Sequence, residues 1–161
     1  QSGYAVIRNK MQETGAPLAG ELSGHIFFND RWYGFDDAMY SACRLLESLA
    51  RDPLERNSTQ IFAAIPNRES TPEIMVDMAE LECQKFIQQF VAEASFQGAK
   101  ISTIDGLRAD FPSGWGLVRA SNTVPGLTLR FEAETQESLQ EIQQQFKQQM
   151  LQVKPTITLL F

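Results

Sequence analysis

An α+β fold in two parts is what the 161-residue sequence predicts. Apolar stripes at helical spacing alternate with short β-type runs. Asp105-Gly106 sits between two such runs, the strongest short hairpin signal in the chain. A polar, proline-dotted stretch over residues 51–72 separates a small first part from a larger second one. In the second part an antiparallel sheet with helices on one face is the natural packing.

Val6, Ile7, Lys10, Met11 and Thr14 share one helical stripe, and Gly15 suits the position that stops it. Residues 16–28 read as strand, tight polar loop, strand, with Gly20 and Gly24 bracketing the loop. Asp36 and Asp37 are N-cap and first-turn residues for a second helix, which ends by Pro53. Its core stripe is Met39, Cys43, Leu46 and Ala50. The 51–72 stretch reads as a linker or hinge around apolar residues 61–65, with a domain boundary within 52–57.

Beyond it, residues 73–78 form a strand, and 83–96 a helix with Phe86, Phe90 and Val91 inward and Gly98 as its stop. Strands 100–104 and 107–111 flank the Asp-Gly turn. Two more, 115–119 and 127–134, are joined by a loop that holds Ser121, Asn122 and Thr123. Thr135 or Gln136 opens a last helix with Leu139, Ile142, Phe146 and Met150 on one face, and its glutamine run is a solvated face. No internal repeat is visible.

Apolar residues make up 43% of the chain, and eleven Phe contribute large core pieces. The net charge of −6 and pI near 4.8 argue against nucleic acid, because no excess of Lys and Arg is available to displace counterions. A small phosphorylated ligand is not excluded, since one local cluster of donors holds it whatever the global charge. No run is long and apolar enough to span a bilayer, and no signal peptide precedes the helical pattern. Cys43 and Cys83 do not form a metal pair by spacing, with one His to join them. They read as reduced, buried thiols of a cytoplasmic protein. The chain runs almost at once into a helix, which gives the expectation that it is cut from something longer.

Two constellations carry chemistry. Glu21, Ser23 and His25 lie between Gly20 and Gly24 or just beyond. A carboxylate, a hydroxyl and an imidazole together offer the donors and acceptors that vicinal sugar hydroxyls require. Taken alone, the set reads more readily as a strand-connecting turn whose polar groups satisfy one another. Arg119, Ser121, Asn122 and Thr123 form the second set. A guanidinium fork with hydroxyl and amide donors on one loop suits a dianionic phosphate. An Asn-based hairpin connection fits those residues as well.

Both sets sit in longer stretches with a common likeness. Gly-Glu-Leu-Ser-Gly-His-Ile-Phe-Phe at 20–28, followed by Arg-Trp-Tyr-Gly-Phe-Asp-Asp at 31–37, closely resembles the third domain of the α-D-phosphohexomutases. Residues 106–125, followed by Leu-Arg-Phe-Glu-Ala at 129–133, resemble their fourth domain. Phosphoglucosamine mutases typically carry Ser-Gly-Thr-Glu-Pro where this chain has Ser-Asn-Thr-Val-Pro. The likeness is therefore to the bacterial-type phosphomannomutase/phosphoglucomutase branch.

The resemblance implies the end of an α/β third domain over 1–53, a hinge over 54–72, and a complete fourth domain over 73–161. The fourth domain would be an antiparallel sheet with helices, similar in outline to the TATA-binding-protein fold. It also implies that Glu21, Ser23 and His25 bind the sugar, and that Arg119, Ser121, Asn122 and Thr123 bind its phosphate. For His25 it suggests a proton-transfer role or a phosphate contact. The implied partners are mannose and glucose 1- or 6-phosphates and the upstream domains of the same polypeptide. The parent would interconvert hexose 1- and 6-phosphates through a phosphoserine and a bisphosphorylated sugar, with Mg²⁺. Neither the family's phosphoserine motif nor its Asp-Gly-Asp-Gly-Asp metal loop occurs in this sequence. The isolated chain is thus expected to bind without completing a turnover. A stand-alone phosphosugar-binding module is the alternative, and an interaction domain with degenerate loops a further one. Tyr4 stands where many relatives have His, so no ligand role passes to it. Leu22 replaces a frequent Met, a swap that conserves volume.

Overall fold

In the computed structural model, which describes residues 3–121 and 124–161, helix α1 (Tyr4–Thr14) comes first. Gly15 closes it in the left-handed conformation, and Met11 is its buried residue. Strands β1 (Leu18–Gly20) and β2 (Ile26–Phe28) pair antiparallel, Ala19 facing Phe27, which is fully buried. Helix α2 (Ala38–Ala50) starts at Asp37, whose side chain accepts from the Tyr40 amide at 2.9 Å. Helix α3 (Ser58–Ala63) begins with a reciprocal Asn57–Gln60 capping box. These elements form one compact unit, Gln1–Pro66.

The α2 stripe expected in the core is not there. Met39 is 82% exposed, Leu46 is 65% exposed, and Cys43 and Ala50 are exposed too. The side of the helix that is partly covered carries Tyr40, Arg44 and Glu47 instead. Trp32 stacks on Tyr40 with centroids 4.3 Å apart, and Arg44 lies 4.3 Å over the Phe28 ring. Arg31 pairs with Glu47, and Arg44 with Asp30 at 2.7 Å. The loop after β2 thus binds the polar, aromatic side of α2 within this unit. Periodicity marks an apolar stripe but does not say whether this stretch of chain covers it.

The second unit, Asn67–Phe161, is a six-stranded antiparallel sheet with two helices. Its strands are β3 (Glu69–Ser70), β4 (Ile74–Asp77), β5 (Lys100–Ser102), β6 (Leu107–Phe111), β7 (Gly114–Ala120) and β8 (Gly126–Ala133). The order is β3-β8-β7-β6-β5, with β4 also on β8. Helices α4 (Glu80–Glu93) and α5 (Gln136–Val153) cover one face. Leu107, Ala109, Val118, Leu129 and Phe131 point there, onto Phe86, Phe90 and Phe146. Leu139, Ile142, Phe146 and Met150 are all buried, as their helical stripe predicts. Gly116 lies where Phe146 presses on the sheet: a Cβ there would meet a ring carbon at 2.5 Å.

Boundaries shift in physically informative ways. Helix α4 stops at Ala94, ahead of Gly98, because Phe96 turns into the core and packs 4.4 Å from the Phe146 ring. Strand β5 ends at Ser102, paired with Arg108, so the turn around Asp105-Gly106 is wider than two residues and leaves Ile104 exposed. Within 54–72 the chain forms α3 and the β3 edge. Among the described residues, no helix is long and apolar enough to cross a membrane.

Candidate sugar and phosphate loops

Residues 21–25 connect β1 to β2 as a closed turn. The Glu21 amide donates to the His25 carbonyl at 2.9 Å, and the Gly24 amide donates to the Glu21 carbonyl at 3.0 Å. Gly24 adopts φ 88°, a conformation that a side chain would strain. The turn leaves Ser23 and His25 exposed and Glu21 partly so. Glu21 is fixed at its base, where Oε1 accepts from the Gly3 amide at 2.6 Å.

His25 is held through Nδ1 by the Asp36 carboxylate. A backbone bridge between Phe27 and Asp36 brings the returning chain alongside β2 and places that carboxylate. Hydrogen bonding to Asp36 first, then its charge, and last the more distant Glu21 charge raise the imidazole above its ordinary pKa. Asp36 escaped the sequence reading because two adjacent aspartates both looked like helix-start residues. Asp37 alone caps α2, which leaves the Asp36 carboxylate to hold His25.

Arg119 is the penultimate residue of β7, opposite Thr128 of β8, and Ser121 follows the strand. The Ser121 amide donates to the Gly126 carbonyl at 2.9 Å, and Ser121 Oγ accepts from the Val124 amide at 3.3 Å. These bonds close the loop and keep Arg119 and Ser121 at one end of the sheet. Asn122 and Thr123, the other expected phosphate donors, lie outside the described residues. Behind the loop, on the α4 side, a pocket of about 360 Å³ is lined by Glu80, Cys83, Gln84 and Ser121. The Glu80 carboxylate there disfavours an anion, whereas Arg119 belongs to the opposite, helix-free face. Burial pushes the Cys83 thiol up, away from the reactive thiolate. Among the described residues no three of His, Cys, Asp and Glu converge to hold a metal ion. The donor set of these described residues does not fit Mg²⁺.

The two loops lie in separate compact units, and each unit matches a domain of one family. The family model for "Phosphoglucomutase/phosphomannomutase, alpha/beta/alpha domain III" matches residues 1–68. The model for "Phosphoglucomutase/phosphomannomutase, C-terminal domain" matches residues 73–149. The whole chain is 48% identical to a phosphomannomutase/phosphoglucomutase of Pseudomonas syringae pv. tomato, covering 34% of that protein. Over 91% of its length it is 48% identical to a phosphoglucomutase of Neisseria meningitidis serogroup A, covering 32% of it. A crystal structure of a phosphoglucomutase/phosphomannomutase family protein from Burkholderia thailandensis superimposes on all of the chain. Its TM-score is 0.90 at 45% identity, over 33% of that protein. The chain therefore spans about a third of the length of the relatives it matches. Two successive domain matches and near-half identity from end to end place it in the phosphoglucomutase/phosphomannomutase family.

Proposed function

We propose that this chain forms the sugar-binding and phosphate-binding loops of a phosphomannomutase/phosphoglucomutase that interconverts hexose 1-phosphate and hexose 6-phosphate. The observation that carries the reading is the exposed Glu21–Ser23–His25 turn, its imidazole backed by Asp36 and its carboxylate fixed by the Gly3 amide. Glu21 accepts from neighbouring sugar hydroxyls, and Ser23 donates or accepts beside it. With Nδ1 committed to Asp36, the Nε2 of His25 faces outward to exchange a proton with a substrate hydroxyl or to donate to a phosphate oxygen. Arg119 presents its fork to the non-reacting phosphate, with Ser121, Asn122 and Thr123 as the remaining donors. A mutase must hold either end of the sugar, and a phosphate clamp that makes no sugar contacts serves both orientations.

The phosphoserine and the Mg²⁺ of the reaction belong, in this reading, to residues outside the present sequence. The chain binds and orients; it does not transfer phosphoryl groups alone. A cytoplasmic setting is part of the same reading, supported by the exposed free thiol of Cys43.

Amide chemical-shift mapping on the 161-residue chain tests the assignment. Glucose 1-phosphate and mannose 1-phosphate should perturb both the 21–25 and the 119–126 amides, whereas inorganic phosphate should perturb only the latter. Sugar phosphates that perturb neither loop would overturn it.

A further inference from the structure

The buried thiol of Cys83 sits where three segments of the second unit meet. Its own segment is the first turn of α4, where the Cys83 amide donates to the Ala79 carbonyl at 2.9 Å. The sulfur donates to the carbonyl of Met78, just past the end of β4, at 3.4 Å. The backbone amide of Gly126, the first residue of β8, approaches the same sulfur and offsets part of what burial costs its charge. Burial dominates and keeps the thiol protonated, so the S–H is available as a donor.

Gly126 is also the residue on which the phosphate loop closes. Its carbonyl accepts from the Ser121 amide at 2.9 Å, and it pairs with Asp77 between β8 and β4. The two strands approach tightly there: a Cβ on Gly126 would meet the Val76 carbonyl at 2.8 Å. Arg119 lies one residue before Ala120, which pairs with Leu127, the residue after Gly126. A shift of Gly126 therefore carries Ser121 with it and changes how Ser121 stands relative to Arg119. Behind the loop, Cys83 shares the walls of the cavity of about 360 Å³ with Ala120, Ser121 and Val124. A close-packed interior would resist movement of the loop toward α4, but a cavity does not, so the start of β8 has to be held by specific contacts.

We propose that Cys83 is a positioning residue for the phosphate loop, fixing the start of β8 against the end of β4 and, through Gly126, setting Ser121 beside Arg119. The inference rests on the phosphate-loop reading above. Contacts to one buried sulfur from both Met78 and Gly126 distinguish this role from core filling. A valine of similar size fills the space but leaves the Met78 carbonyl and the Gly126 amide without that partner. A serine keeps a donor and an acceptor at the same place.

The test is titration of the full 161-residue chain with inorganic phosphate and with glucose 1-phosphate, for the parent chain and for Arg119→Ala, Cys83→Ala, Cys83→Val and Cys83→Ser. Cys43→Ser, on an exposed thiol of the first unit, is the control and should bind as the parent does. Cys83→Ala and Cys83→Val should each weaken both ligands about fivefold, the worth of one neutral hydrogen bond, with Cys83→Ser recovering part of the loss. The Ser121 and Gly126 amide shifts should move in the alanine and valine variants, while those of the 21–25 turn stay in place. Thermal melts set a temperature at which each variant is folded, and affinities are read there. A merely structural thiol would lower the Tm and leave the affinity of the folded chain unchanged. If Cys83→Val binds within about twofold of the parent while Arg119→Ala loses affinity, the inference is wrong and the loop reading stands. If Cys83→Ser binds no better than Cys83→Val, hydrogen bonding at the sulfur does not position the loop, and the inference is wrong again. If neither Arg119→Ala nor Cys83→Val matters, both readings fall.

Discussion

Asp36 holds the Nδ1 of His25 across eleven residues of chain, while its neighbour Asp37 turns the other way to cap α2. The arrangement depends on the Phe27–Asp36 bridge, which lays the chain after the aromatic loop back against β2. Backbone pairing therefore positions a charge that sets the protonation of an exposed imidazole.

Asp36→Asn should lower the pKa of His25 toward its ordinary value of 6.5, because the amide keeps an acceptor but removes the charge. His25 is the single histidine, so its titration is read directly by NMR. The stability linkage follows the sign of the shift. A folded-state pKa raised above the unfolded value stabilises fully below about 6.5 and loses that contribution as pH rises through the raised value. The Tm deficit of Asp36→Asn should accordingly be larger at pH 5 than at pH 9. An unchanged His25 titration in the variant would show that the carboxylate does not govern the ring.

The orientation of α2 predicts an inverted pattern of substitution effects. Met39→Gln and Leu46→Gln should change the stability of this chain by no more than about 0.5 kcal/mol, since both side chains are exposed. Tyr40→Ala, which removes the ring stacked on Trp32, should cost on the order of 2 kcal/mol. Hydrogen exchange at the α2 amides measures both. A large cost at Leu46 with none at Tyr40 would mean that the helix is turned the other way in solution.

The contrast between α2 and α5 shows what was legible in the sequence. On α5 the stripe Leu139, Ile142, Phe146 and Met150 has the sheet of its own unit to bury it, so periodicity and burial coincide. On α2 the stripe has no such cover within the unit, and stacking and ion pairs hold the other side. The Glu21–Ser23–His25 turn was legible because it is local, three residues in one loop between two strands. The Asp36 contact and the pairing of Arg119 with Thr128 were not, because both depend on register between separate segments. Asp105-Gly106 marked its turn correctly, yet the pairing of Ser102 with Arg108 came out wider than the dipeptide alone implies.

Gly116→Ala should destabilise the second unit by about 1–3 kcal/mol, the usual cost of forcing a methyl group into a filled core. The added Cβ would lie 2.5 Å from one Phe146 ring carbon and 2.9 Å from a Phe131 ring carbon, and both rings are fully buried. Chemical denaturation of the variant measures the loss. Pairing it with Phe146→Leu should recover part of that loss, because the smaller side chain vacates the space the methyl needs. Additive losses in the double variant would place the strain elsewhere.

Glu21→Gln separates the sugar contact from the phosphate contact. The amide oxygen can still accept from the Gly3 N–H, so the base of the turn should stay closed. What changes is the outer side of the group. A carboxylate offers only acceptors, whereas an amide places a donor where a sugar hydroxyl would donate, and it gives up the charge that strengthens the bond. Loss of one charge-assisted bond predicts glucose 1-phosphate binding weaker by about tenfold or more. Inorganic phosphate has no hydroxyl array for Glu21 to read, so its affinity should be unchanged. Arg119→Ala should weaken both ligands, since the phosphate is common to them. Titrating each variant with each ligand gives four affinities that must fall in that pattern. If Glu21→Gln binds glucose 1-phosphate as the parent chain does, Glu21 serves only to anchor the Gly3 amide, and the 21–25 turn does not read the sugar.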